Sequence, residues 1–241
     1  MKEMKSKVLI SFLMASLVFL LFQVEGLAAV TSTGESTATI TFEGNEGVTD
    51  PLDPEDPKEP FDPDDPNNPD DEPTGNAGPL SLDYVSSIDF GTQKVVINKE
   101  QTYESTSLKP FIQITDNRGT GKGWKVTAAA SPFSDGTKNT LSGAKINFNN
   151  GEVVSPTTGL VAPTQETSIA LSTDGTAVTV VTAQENTGLG TWLNRWFPTL
   201  GETGFTGIEK NNNVTLEIPA GVATAGAHKA TITWTLTDAP I

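Results

Sequence analysis

The chain has 241 residues with 30 Asp+Glu against 15 Lys+Arg, a formal charge of −15, no cysteine and a single histidine, His228. These numbers exclude disulfides, thiolate metal sites, a cysteine nucleophile and a multi-histidine metal centre, and the absence of any basic block argues against a nucleic-acid partner. With an apolar N-terminal segment and a proline-rich stretch set aside about 165 residues remain, enough for one full-sized core, and 22 glycines with only 7% aromatic residues and plentiful threonine point to an all-β chain.

Lys2, Lys5 and Lys7 precede an apolar run from Val8 to Phe22, and small residues follow at Gly26, Ala28 and Ala29. That order predicts a secretory signal peptide over residues 1–29, cleaved after Ala28 or Ala29. The run of 15 residues is short for a bilayer span, so no membrane span is expected once the signal is removed. A cysteine-free exported domain is typical of Gram-positive surface proteins. In residues 30–49, Ala38, Ile40 and Phe42 alternate with Thr37, Thr39 and Thr41, which predicts an isolated strand over Ser36 to Glu43. A lone strand cannot bury that face, so it pairs with the following domain, serves another protein, or stays loose.

Residues 50–75 form a different kind of segment. Prolines at 51, 54, 57, 60, 63, 66 and 69 keep a three-residue period, and residues 50–73 hold 11 acids against Lys58 alone. Three residues per turn is the polyproline II repeat, so the pattern predicts a stiff, solvated, acidic linker. Calcium ligation by Asp62, Asp64, Asn67 and Asp70 is disfavoured, because the stretch has no glycine turn and no terminal bidentate glutamate at loop spacing. Outside it, residues 74–241 carry 14 acids and 11 bases, so the acidity of the chain belongs to the linker and says little about the domain's ligand.

From residue 76 to 241 the chain is a series of short alternating runs. Leu80, Leu82 and Tyr84, then Ile112 and Ile114, then Ile146 and Phe148 leading into Asn150-Gly151, then Ile169 and Leu171 leading through Asp174-Gly175 to Val178 and Val180, and finally Val214, Leu216 and Ile218 read as antiparallel strands joined by tight turns. The expected fold is all-β, a sandwich or barrel-like domain. Gly190 to Leu200 alone reads as a short helix, with Trp192 and Trp196 one turn apart. In the last run, His228, Ala230, Ile232, Trp234 and Leu236 share one face and Lys229, Thr231, Thr233 and Thr235 the other.

That ending, TITWTLTDAP, closely resembles the C-terminal signature of the WxL cell-wall-binding domain of surface proteins from low-GC Gram-positive bacteria. Three further segments are similar to that family in the expected order: Gly78 to Gly91 to its domain opening, Gly123 to Phe133 to its upstream Trp-x-Leu/Val motif, and Gly190 to Phe197 to its internal Gly-Thr-Trp segment. The upstream motif here reads Trp124-Lys125-Val126, and His228 stands where the family often has an aromatic residue. The resemblance implies an exported protein of the cell wall and cell surface, attached non-covalently to peptidoglycan. The chain runs only five residues past Leu236, so no sortase-type anchor is expected at this end.

Binding candidates are the motif residues Trp124, Val126, Trp192, Arg195, Trp196, Trp234 and Leu236. Exposed rings stack on sugar faces, and an arginine can bond a stem-peptide carboxylate. Against this, Trp124 and Trp234 share faces with aliphatic residues and read as core, whereas Trp192 and Trp196 sit in a glycine-flanked segment and divide between core lid and ligand platform. No cofactor or metal is expected, and His228 has no recognisable nucleophile or orienting carboxylate to work with. The leading reading is a wall-attached module that displays or recruits partners through Ser36 to Glu43. The alternatives are a structural subunit of a surface complex with incidental wall affinity, and a wall hydrolase, which needs a placed carboxylate pair that the sequence does not supply.

Overall fold

The structure, a computed structural model, describes residues 32–62, 72–197 and 209–238. The expected signal peptide and Asp64, Asn67 and Asp70 lie outside these residues. The chain divides after Thr41 into two units. In the first, residues 32–41 hold no helix, strand or turn. The expected strand at Ser36 to Glu43 is therefore not formed: Ile40 is 77% and Phe42 85% exposed. Alternation and threonine content favour extended backbone, but without a ladder to join they do not make a strand.

The second unit is all-β, with no helix among the described residues. In chain order its strands are β1 (Leu80–Val85), β2 (Gln101–Ser105), β3 (Phe111–Asp116), β4 (Trp124–Ala130), β5 (Phe133–Ser134), β6 (Asn139–Thr140), β7 (Lys145–Asn149), β8 (Glu152–Val154), β9 (Thr164–Gln165), β10 (Ser168–Ser172), β11 (Val178–Ala183), β12 (Gly190–Arg195), β13 (Asn211–Ile218) and β14 (Ile232–Thr237). They build three antiparallel four-stranded sheets ordered β1-β3-β12-β8, β10-β7-β13-β2 and β14-β4-β11-β9, with β5-β6 as a small hairpin. All three sheets contribute to one core. The period of two is plain where one face alone is buried: in β4, Trp124, Val126, Ala128 and Ala130 are buried and the residues between them are not. Phe148, Val214 and Leu216 meet them from the neighbouring sheet.

Of the short helix or turn expected at Gly190 to Leu200, the part Gly190–Arg195 is instead strand β12, which lies between β3 and β8; residues 198–200 lie outside the described residues. Trp192 and Asn194 point into the shared core, while Leu193 joins Tyr84 and Phe111 in a second apolar cluster on the opposite face of the sheet. A strand buried on both faces loses the in-out alternation by which it would be read.

What covers that opposite face is the first part of the Asp/Pro segment. Residues 50–62 are not an extended spacer but a folded strap. The Asp53 N–H donates to Glu59 O (3.0 Å) and the Phe61 N–H to Pro51 O (3.1 Å), which closes a loop across the isolated bridge Leu52–Pro60. Asp53 Oδ1 accepts the N–H groups of Glu55 (2.6 Å) and Asp56 (3.3 Å), so the aspartates cap their own turn. Phe61 packs on Tyr84 (5.0 Å) and Phe111 (6.0 Å), which stack on each other at 4.4 Å. Gln113, on the covered face, accepts the Leu52 N–H at Oε1 (2.8 Å) and donates from Nε2 to Asp50 O (3.0 Å). Buried Lys109 is ion-paired with Glu55. A proline period specifies no internal hydrogen bonds, but a strap with two apolar anchors, Leu52 and Phe61, gains burial that a solvated linker does not.

Beneath the strap lies Asp83, a residue of the β-bulge in β1. Its carboxylate accepts Ser81 Oγ (2.5 Å), Thr115 Oγ1 (2.7 Å) and Gln113 Nε2 (3.0 Å). Burial pushes its pKa above the ordinary 3.8, outweighing the three donors, which pull it down. In the window above 3.8 the native state therefore binds more protons than the unfolded one, and this group's contribution to stability is lost as pH rises through the raised pKa. Urea midpoints of wild type and Asp83→Asn from about pH 4 to about pH 8 should show the wild type losing ground to the variant over that window. A gap that is constant or widens in favour of the wild type contradicts the assignment.

Candidate functional site

The two Trp-x-Val/Leu segments are neighbours in one sheet. β14 pairs with β4 so that Ile232 faces Ala130, Trp234 faces Ala128 and Leu236 faces Val126. The small side chains of Ala128 and Ala130 leave room on the inner face, and the half-buried Trp234 ring fills it, packing on Trp196 at 5.7 Å and on Phe148 at 5.9 Å. Phe148 and Trp196 are themselves 4.9 Å apart, so rings from β7, from β14 and from the residue just after β12 meet here.

The other candidates are placed differently. Trp124 is fully buried, and its Nε1–H donates to Gly188 O at 2.9 Å. Val126 is fully buried and Leu236 half-buried in the same core. Trp192 and Trp196 are 5% and 1% exposed, which puts both in the core, and Trp192 Nε1–H donates to Leu189 O (2.9 Å). Arg195 is on the strap side of β12. Its Nε and Nη2 donate to Glu152 Oε2 (3.1 and 2.9 Å) and its Nη1 to Pro54 O (2.5 Å), so the guanidinium fastens the strap to β8 and its bonds are already committed. The structure thus brings together Val126, Trp196, Trp234 and Leu236, and sets Arg195 apart from them.

Next to this cluster is a groove of about 1280 Å³. One wall is the irregular run from Val85 to Val95, the second the β5–β6 hairpin with Phe133, Asp135 and Leu141, and the third the chain from Ala223 into β14. Its floor is the buried and half-buried apolar part of the lining, Tyr103, Ile146, Leu216 and Trp234; half-buried Ile88 and Phe90 belong to the first wall, and exposed hydroxyl and charged groups rim the mouth, among them Ser87, Thr92, Lys94, Asp135 and Lys229. The first wall is pinned to the end of β2 and the residues just after it, because Asp89 O accepts Ser105 Oγ–H (3.0 Å) and Thr106 N–H (2.8 Å) and Asp89 N–H donates to Ser107 Oγ (3.0 Å). Asp135 accepts the Thr137 hydroxyl and the N–H groups of Thr137 and Lys138, which hold its pKa at about 2, so the rim keeps its negative charge in any neutral medium.

His228 also lines the groove, with both ring nitrogens engaged: Nε2–H donates to Thr224 O (3.0 Å) and Nδ1 shares a hydrogen bond with Thr140 Oγ1 (2.9 Å). Its ring ties the wall after Ala223 to the β5–β6 hairpin. Among the described residues there is no group of three or more acidic or histidine side chains placed to hold a metal ion. An apolar, aromatic floor under a rim of hydroxyl, amide and charged groups is the surface that holds a sugar or peptide polymer by stacking and orients it by hydrogen bonds. Sequence reading misses Ile88, Phe90, Tyr103 and Phe133 as site residues. Ile88 and Phe90 alternate about Asp89 like a strand but lie in an irregular wall, and only the fold brings the three walls together.

In comparison with known families, the model of the WxL domain, described as surface cell wall-binding, fits residues 29–240. The matched region takes in the strap as well as the sheets. No curated protein and no solved structure matches the chain. No helix among the described residues is long and apolar enough to cross a membrane.

Proposed function

Given that the chain belongs to the family of WxL-domain surface proteins that bind the cell wall, we propose that it holds peptidoglycan non-covalently in the groove beside Trp234 and displays Ser36 to Glu43 to a protein partner. The observation that carries the first part is the groove itself: its volume of about 1280 Å³, its aromatic and aliphatic floor and its polar rim suit a segment of a polymer whose sugar faces stack and whose hydroxyl and amide groups seek donors and acceptors. Phe90 is the ring to test, being half-buried in the wall and packed against the rim of the shared core without being one of its fully buried residues. Phe90→Ala in the full chain should keep the wild-type circular dichroism, lower the melting temperature by about 5 °C and reduce sedimentation with purified wall sacculi, read well below that melting temperature, by about fivefold, the loss of roughly 1 kcal/mol of contact. Undiminished sedimentation would remove the groove from wall attachment, and wild-type protein that sediments with intact walls but not with walls stripped of teichoic acid would shift the ligand from peptidoglycan.

The second part rests on exposure. Ile40 and Phe42, at 77% and 85% exposed, present an apolar, proline-free, threonine-rich stretch that can add to a partner's sheet edge through its backbone. Ile40→Pro removes one backbone donor from any such ladder and should abolish capture of surface-protein partners while leaving the melting temperature unchanged. If walls are bound no better than by an unrelated acidic β protein while partners are still captured, the chain is a structural subunit of a surface complex.

A further inference from the structure

Three polar atoms of the core have no hydrogen-bond partner among the described residues: Nδ2 and Oδ1 of Asn194 and Nε1 of Trp196. Both residues are 1% exposed. The amides around them are satisfied. Asn211 Nδ2 donates to Trp196 O (2.7 Å), Asn150 Nδ2 to Asn213 Oδ1 (2.9 Å) and Gln165 Nε2 to Gly151 O (3.2 Å). The indoles of Trp124 and Trp192 also have carbonyl acceptors. Asn194 and Trp196 are the exceptions, and buried polar groups are rarely left without partners.

Two of the unpartnered atoms, Trp196 Nε1 and Asn194 Oδ1, border one spot. Asn194 and Trp196 are two residues apart at the end of β12 and so face the same way, toward the Asn150-Gly151 turn between β7 and β8. A β-carbon built on Gly151 would stand 3.0 Å from Trp196 Nε1, 3.1 Å from Glu166 O and 3.4 Å from Asn194 Oδ1. An indole donor, an amide and a backbone carbonyl thus surround the one residue of the turn that has no side chain. Internal waters occupy such places, bonded to about three polar groups each, whereas apolar cavities stay dry.

We propose that Asn194, Trp196 Nε1 and Glu166 O bind an internal water beside Gly151. The water accepts from the indole N–H and donates to the Glu166 carbonyl and the Asn194 amide oxygen, leaving one lone pair for Asn194 Nδ2–H. Its role is positional: it fixes the rotation of the Trp196 ring, which supports Trp234 at 5.7 Å and Phe148 at 4.9 Å. Asn194 is accordingly a positioning residue, and the inference does not depend on what the groove binds.

The test is water-selective NMR on the full chain, reading cross-peaks between long-lived water and the three buried indole N–H protons of Trp124, Trp192 and Trp196. Trp196 should show one, and Trp124 and Trp192, bonded to carbonyls, should not. Asn194→Leu, an apolar replacement of similar volume, should weaken or abolish the Trp196 cross-peak and lower the urea midpoint. The inference is overturned if wild-type Trp196 shows no water cross-peak, if its indole N–H contacts protons of residues 198–208 instead, or if Asn194→Leu raises the midpoint, which is the behaviour of a truly dry amide. Should Asn194→Leu fail to fold, Gly151→Ala, which puts a methyl group at the convergence point, must remove the same cross-peak.

Discussion

Trp124→Ala should cost about 3–5 kcal/mol of stability and lower the melting temperature by roughly 10 °C in a domain of this size. The indole is fully buried, and the chain is shaped around it. Gly188, at φ +70°, carries the carbonyl that accepts the indole N–H, and a β-carbon there would come within 2.9 Å of Trp124 Nε1 and 2.5 Å of Ala183 Cβ. Gly123, at φ +77°, precedes the tryptophan and would place a β-carbon 2.2 Å from Ala183 O. Two glycines therefore let the ends of β4 and β11 and the link to β12 close over one ring, a geometry no side chain at either position could enter. Trp124→Phe, which keeps most of the volume but strands the Gly188 carbonyl, should cost less, about 1–3 kcal/mol. Urea denaturation followed by circular dichroism reads both. A Trp124→Ala protein of wild-type stability that no longer sediments with walls would place the ring at the ligand, against its burial.

Trp124 shows what the amino-acid order discloses well. In β4 and β14 the face toward the core and the face toward solvent differ, so Trp124, Val126 and Ala128 on one strand, and Ile232, Trp234 and Leu236 on the other, fall into place by simple alternation. Where both faces are buried, that signal vanishes. In β3 every residue from Phe111 to Asp116 is buried; Gln113 is interior because the strap bonds to it, and Thr115 because its hydroxyl is held by Asp83 and Thr191. The Trp192 and Trp196 pair is ambiguous for a geometric reason: a spacing of four lines up on one side of a helix and equally on one side of a strand, since four is a whole number of two-residue strand repeats. The strap itself is hidden by its composition. Eleven acids and a strict proline period describe a solvated linker, and only the two apolar residues Leu52 and Phe61, placed to reach Tyr84, Phe111 and Leu193, mark the part that folds back. The groove is the least legible feature, because its walls come from residues 85–95, 133–141 and 223–234 and meet only in three dimensions.

Phe111→Ala should be nearly as damaging as the loss of Trp124, at about 3–5 kcal/mol, and it separates a strap from a spacer. Phe111 is fully buried, yet it lies in the cluster away from the shared core, stacked on Tyr84 at 4.4 Å and roofed by Phe61 at 6.0 Å. If the Asp/Pro segment were a free linker, Phe61→Ala would change nothing and the two substitutions would add. With Phe61 seated on the ring pair, Phe61→Ala alone should cost roughly 2 kcal/mol, less than a full core truncation because its ring is half-buried. The double variant should then fall short of the sum by about 0.5–1.5 kcal/mol, the coupling expected of contacting aromatic rings. Pro57→Ala, in the turn of the same segment and outside the Tyr84–Phe111–Leu193 cluster, controls for composition and should stay within about 0.5 kcal/mol of wild type. Additive effects of Phe61→Ala and Phe111→Ala, measured by urea denaturation, would detach the strap from the sheet. The coupled result would mean that the acidic segment is part of the folded domain from Asp50 to Phe61, and that a spacer function, if the chain has one, begins only after it.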